Sequence, residues 1–443
     1  MAQLERAIGP LPATLLVIGS VIGSGIFLTT GDMAKALPSP VLLLLAWAAG
    51  SLFALTGALT YAELGTMFPR AGGVYVFLNE AFGPLLGFLY GWTTLLVVLA
   101  GGIAAVAVGF AHSFNYFVPG APVPLVAVAS IVALGVINYF GVRVGAGTNS
   151  VLTIAKITGL LLLPVFALVS TSAHTPEWTP VVPPEITAPA AAFGVALISV
   201  LWACEGYYFL TYAGSEIRDP ARTIPRALTF GLLCIAFIYL VANLVYLYAL
   251  PMAELRGTTR VAEKAATALV GPSGATIIAL TVLVSTLGAN AAVILAGSRV
   301  MYAMAERGLF FRAAGAVHPL YKSPHVAVIA LTAWASILAL SGTYEQLFTY
   351  VVFISVLFSM FGGLALFRLR QARPAAERPY RVWGYPVVPA LFILGSLYLV
   401  INTLLARPLE SLAGFVLLVI GLPVYWYWSG RAGVGPRERV NNS

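Results

Sequence analysis

The chain has 443 residues, 60% of them apolar and only 9% charged, against about 25% charged in a soluble globular protein. So few charges cannot clothe a water-exposed surface. That excludes a soluble enzyme, a disordered chain and a nucleic-acid binder, despite a net charge of +8. The two cysteines, Cys204 and Cys234, lie in apolar runs and are too few for a disulfide scaffold or a zinc site. No cofactor is expected. What remains is one membrane-embedded unit whose solvent is the lipid bilayer.

A membrane span needs about 20 mostly apolar residues. Residues 81–142 contain no Asp, Glu, Lys or Arg and are long enough for two spans. Loop signals such as Pro38-Ser39-Pro40, Pro119-Gly120 and Pro183-Pro184 cut the rest. The predicted spans are 10–36, 41–67, 84–110, 123–142, 151–171, 190–214, 226–250, 272–304, 325–341, 346–367, 386–406 and 410–429. The expectation is an all-α integral membrane protein with twelve transmembrane helices in one domain, 1–443, and a short tail at 430–443. The first span is too long, and too interrupted by glycine, for a cleaved signal peptide.

Twelve spans put both termini on one side. Lys and Arg then fall seventeen on that side against five on the other, namely Lys35, Arg256, Arg260, Lys264 and Arg407. The positive-inside bias makes the termini cytoplasmic. Lys156 and Arg299 are left inside spans. No loop is long enough for a soluble catalytic module. The four histidines sit near span ends without metal-ligand spacing.

Span 1 carries Gly19-Ser20-Val21-Ile22-Gly23-Ser24-Gly25-Ile26-Phe27 in mid-membrane. Each interior Gly costs a helix about 1 kcal/mol relative to Ala. One reading is close helix packing through small residues. The other is an unwound stretch followed by a half-helix starting near Ser24, whose free N–H groups and dipole face a carboxylate. Span 6 carries Leu201-Trp202-Ala203-Cys204-Glu205-Gly206-Tyr207-Tyr208. A carboxylate in mid-span either faces a polar cavity or is protonated and hydrogen-bonded inside the bundle. Interruptions at matching positions of two five-span halves point to a transporter site.

Four segments carry a family resemblance. They are Ile22-Gly23-Ser24-Gly25-Ile26-Phe27, the run Tyr61-Ala62-Glu63-Leu64-Gly65 with Pro69-Arg70-Ala71-Gly72-Gly73, the run Glu216-Ile217-Arg218-Asp219-Pro220, and Gly297-Ser298-Arg299-Val300-Met301. In this order they resemble the amino acid–polyamine–organocation superfamily, and within it the L-type amino acid transporter-like branch. The resemblance implies a five-plus-five inverted repeat of the LeuT-like kind, with broken helices 1 and 6. The first repeat would cover about 10–171 and the second about 190–367. Helices 11 and 12 would follow at about 386–429.

The resemblance further implies substrate held between the breaks, at Ser20, Val21, Ile22, Ser24, Gly25, Trp202, Ala203 and Glu205, and moved by alternating access. The carboxylate would meet Ser24 and Gly25. The ammonium would meet carbonyls near Val21, Trp202 and Glu205. Trp202 would close over the substrate. Lys156, five residues inside span 5, reads by itself as a snorkelling lysine. In related transporters a lysine here takes the place of sodium beside broken helix 1, near Gly23. The implied function is sodium-independent amino acid transport across the cell membrane, with exchange of neutral L-amino acids. The alternatives are a cationic amino acid or polyamine exchanger, favoured by Glu205, and a proton-coupled symporter. Residues 111–122 contain no cysteine, so no disulfide-linked heavy subunit is expected. Nothing in the sequence assigns an oligomeric state. Glu63, Arg70 and Arg299 read as interfacial anchors. The arginines from Arg368 to Arg381 read as a positive-inside cluster touching anionic lipid.

Overall fold

A computed structural model describes residues 4–172, 174–341, 344–406 and 408–432. Arg407 and most of the expected tail at 430–443, with Arg437 and Arg439, lie outside the described residues. So do the side chains of 342–353.

Every named element is helical. Span 1 is two helices, α1 (Pro10–Val21) and α2 (Gly25–Ala36), separated by irregular backbone at 22–24. Pro at the start of α1 fits the first turn, where its missing N–H has no helical partner. Span 2 is α3 (Pro40–Met67), whose N-terminal Ser39 hydroxyl accepts from the Leu42 N–H. A short helix α4 (Val74–Phe82) follows. Span 3 is α5 (Pro84–Thr93), a π-helical turn (Thr94–Leu99) and α6 (Ala100–Phe114). Then come α7 (Val123–Tyr139) and α8 (Val142–Val169).

Span 6 is again divided, into α9 (Pro189–Cys204) and the single turn α10 (Phe209–Tyr212). The remainder is α11 (Pro220–Ala249), α12 (Met252–Leu255), α13 (Val261–Val270), α14 (Pro272–Glu306), α15 (His325–Leu340), α16 (Tyr344–Ala372), α17 (Val387–Ala406) and α18 (Pro408–Ala432). Seven helical stretches among the described residues are long and apolar enough to cross a membrane; α7, α9 and α15 are shorter apolar helices.

Three departures from the sequence expectations matter. The fifth span begins at Val142 rather than 151, because Gly141 at φ 100° forms the turn and the polar run from Arg143 to Ser150 is already helical. The break in span 6 starts after Cys204, which ends α9, and runs through 205–208. Short helices α4, α12 and α13 occupy stretches expected to be loop.

The broken span is wrapped on all sides. Helix α1 packs against α8, α11 and α14, and α2 packs against α9 and α13. Its residues from Leu15 to Phe27 are all buried. Around it the face exposed outside the bundle is apolar, as on Leu168 and Val151 of α8. This inside-out pattern is what a lipid solvent permits.

Candidate functional site

Backbone polar groups freed by a helix break must find partners inside the protein. At the first break most of them do. Lys156 on α8 donates from Nζ to Ile22 O at 2.6 Å and Gly19 O at 3.0 Å. Ser285 on α14 donates to Ile22 O at 3.2 Å and Gly23 O at 3.0 Å. Gly288 leaves the room for this lysine, since a Cβ there would lie 2.9 Å from its Cε.

Lys156 is fully buried. The snorkelling reading is therefore corrected: with α8 starting at Val142, Lys156 lies half-way along the helix, too deep for the interface. The lysine holds Gly19 O and Ile22 O, the latter in the peptide that joins Ile22 to Gly23, while the Gly23 carbonyl itself faces Ser285.

The two breaks are tied to each other. Tyr239 on α11 donates its hydroxyl to Ala203 O at 2.8 Å and lies 3.3 Å from Val21 O. Ser20 donates to Gly206 O at 3.0 Å. Gly206, at φ 102°, adopts a left-handed backbone that side chains disfavour. Of the carbonyls expected to hold an ammonium, Val21 O only borders the Tyr239 hydroxyl, whose proton goes to Ala203 O, and Trp202 O accepts from the Glu205 N–H at 3.2 Å. Each keeps a second lone pair.

Between the breaks lies a cavity with about 60 Å3 of space for water-sized occupants. Ser20, Val21, Gly23, Ser24, Gly25, Trp202, Ala203 and Glu205 line it. Ile22, expected among them, does not; its carbonyl is turned to Lys156 and Ser285. Ser24 is the N-terminal cap of α2, so the first free N–H groups of a twelve-residue helix open at the cavity. The Glu205 carboxylate accepts from the Tyr208 hydroxyl. Sequence reasoning missed the opposite wall, formed by Val98, Gly102, Val106, Ala289, Asn290 and Val293. Gly101-Gly102 and Asn290 inside apolar runs were the available signals.

Beyond this cavity, the face carrying the N-terminus is cross-linked. Ile8 N–H donates to Glu216 O, and Arg218 N–H donates to Ile8 O. Arg299 forms a two-pronged pair with Glu216, at 2.6 and 2.9 Å, with both side chains at most 1% exposed. Glu63 is equally buried and receives Arg370 at 2.6 and 2.9 Å and the Val382 N–H at 2.7 Å. Arg373 pairs with Glu80, and Arg378 donates to carbonyls such as Arg373 O. Glu63 and Arg299 are thus internal ties rather than interfacial anchors. Three members of the arginine cluster likewise bind protein instead of serving lipid alone.

Among the described residues no group of His, Cys, Asp or Glu could hold a metal, and Cys204 and Cys234 are free thiols.

The family model described as amino acid permease matches residues 8–425. The chain is 32% identical over 428 residues to the serine/threonine exchanger SteT of Bacillus subtilis, covering 96% of this chain and 97% of that protein. It is 27% identical to the human b(0,+)-type amino acid transporter 1, covering 96% and 88%. It is 26% identical to the mouse Asc-type amino acid transporter 1, covering 97% and 82%. The chain is a multi-pass membrane protein that belongs to the amino acid permease family of the amino acid–polyamine–organocation superfamily, a transporter of the L-type-like kind and not an enzyme.

Proposed function

We propose that this protein exchanges small neutral L-amino acids across the cell membrane without sodium, by alternating access around the cavity between α1–α2 and α9–α10. The observation that carries the reading is the cavity itself: two helix breaks, tied by Tyr239 and Ser20, enclose a small space that opens on the α2 N-terminus. A helix N-terminus favours a carboxylate, and lone pairs at the ends of α1 and α9 favour an ammonium. A zwitterion satisfies both. A relative named as a serine/threonine exchanger supports a small substrate.

Lys156 supports sodium independence. Its ammonium already donates to the carbonyls of the break, and a second cation beside it would be repelled. The architecture in this reading is twelve spans. Residues 10–171 and 190–367 form the inverted repeats, and α17 and α18 follow. Divided helices at the start of each half support it. The bias of Lys and Arg supports cytoplasmic termini, and the lack of cysteine at 111–122 supports independence from a disulfide-linked subunit.

A second reading, transport of cationic amino acids or polyamines, draws on Glu205 at the cavity wall. Competition separates the two. Purified protein in liposomes is expected to take up labelled serine or alanine at equal rates in sodium and choline salts, with excess arginine or putrescine having little effect. A tenfold inhibition by either amine would favour the second reading.

A further inference from the structure

Asn290 on α14 borders the cavity and is 2% exposed. Its Nδ2 donates to Ile103 O on α6 at 3.1 Å. That bond fixes the amide, because the flipped orientation would set oxygen against oxygen. The Oδ1 is then left as a buried acceptor, and it has no hydrogen-bond partner among the described residues. Buried polar atoms are almost always paired, so an orphan on a cavity wall asks what completes it.

The neighbouring wall cannot. Val98, Gly102, Val106, Ala289 and Val293 bring no side-chain donor. Of the other cavity polar groups, Ser20 donates to Gly206 O and Glu205 accepts from Tyr208, while the Ser24 hydroxyl belongs to the carboxylate end of the site in the reading above. The occupant remains. Resting on the amino acid reading above, the carboxylate and ammonium belong to the breaks, which leaves the substrate side chain to the wall of α6 and α14.

We propose that Asn290 is a specificity-determining residue whose Oδ1 accepts a hydrogen bond from the hydroxyl of a serine- or threonine-type substrate. An aliphatic isostere would bring this oxygen no donor. A side-chain carboxylate would face it acceptor to acceptor. Long cationic side chains could donate to it as well, and the arginine and putrescine competition described above separates them.

The test uses isosteric pairs in liposomes: inhibition constants for serine against 2-aminobutyrate and threonine against valine. Wild type, Asn290→Leu and Asn290→Asp are compared. Wild type is expected to prefer the hydroxyl member of each pair on the order of tenfold. Asn290→Leu should bring both ratios close to one. Asn290→Asp keeps an acceptor but loses the tether to Ile103, and should keep the preference. The proposal is overturned by wild-type ratios near one, by a preference surviving in Asn290→Leu, or by a preference lost in Asn290→Asp. It is also overturned if both variants weaken all four substrates in parallel, which would make Asn290 a helix clamp. If Asn290→Leu does not fold, the wild-type ratios and Asn290→Asp decide. A wild-type protein that moves other amino acids while ignoring hydroxyls sinks this inference alone. One that moves no amino acid sinks the parent reading with it.

Discussion

The Lys156 ammonium sits 2.6 Å from the carbonyl oxygen of Ile22, at the point where the first membrane span stops being a helix. A second bond, to Gly19 O, makes the lysine a clamp across the last turn of α1. Losing it strips the buried Gly19 carbonyl of its donor and leaves Ile22 O to Ser285 alone, and a buried acceptor left unpaired costs about 1–3 kcal/mol. Lys156→Ala is expected to cut initial uptake at least tenfold, with the protein still monodisperse in detergent. Near-normal uptake in the variant would remove the lysine from the mechanism.

Tyr239 joins the two breaks through one oxygen. Tyr239→Phe keeps the ring and removes only the hydroxyl. Loss of one buried hydrogen bond of roughly 1–1.5 kcal/mol should weaken substrate binding about tenfold while the melting temperature moves little. Unchanged affinity in a binding assay would make Tyr239 a packing residue only.

Glycines of the first break differ in their surroundings. A Cβ on Gly25 would lie 2.8 Å from Ala203 Cβ and 2.9 Å from its Cα, so α2 and α9 would have to part. A Cβ on Gly23 would meet only Ala289 Cβ, at 3.6 Å. Gly25→Ala is expected to lower the melting temperature and reduce uptake more than tenfold. Gly23→Ala should fold normally and lose less activity. Equal behaviour of the two in thermal melts and uptake would contradict this geometry.

Arg299 and Glu216 form a buried pair, so removing one partner strands the other charge, at a cost of about 3–5 kcal/mol. Arg299→Met should fall sharply in melting temperature. The double variant Arg299→Met, Glu216→Met should recover much of the loss. A double variant no better than the single would show that the pair is not the source of the effect.

Glu80 supplies a pH dependence. Burial pushes its carboxyl up, but hydrogen bonds from Arg307 and Arg373 outweigh this and hold it below its ordinary value of 4.5. A depressed carboxyl contributes stability above its unfolded value and loses it as pH falls through the lower folded value. The melting-temperature gap between wild type and Glu80→Gln should be constant above the ordinary carboxylate range and close below it. A gap that widened on acidification would reverse the sign and refute the assignment.

The sequence read well where lipid imposes a rule. Seven long apolar helices among the described residues lie where spans were expected, and the Gly23-Ser24-Gly25 interruption appeared within a residue or two of its place, because neither feature needs tertiary context. Lys156 did not read well alone. Its depth depended on where α8 begins, and the polar start of that helix, Arg143 to Ser150, hid nine residues of it. Glu216 and Arg299 were visible as charges, but eighty-odd residues separate them and no periodicity pairs them. Asn290 was overlooked for a similar reason: its significance lies in an oxygen left without a partner, which only a packed wall reveals.

The central claim, exchange of amino acids with a fixed lysine in place of sodium, is tested most directly by efflux from liposomes loaded with labelled serine. The account predicts little efflux into amino-acid-free buffer and fast efflux once unlabelled serine is added outside, at the same rate in sodium, potassium or choline salts. Efflux that needs sodium, or that runs equally fast without external amino acid, would contradict it.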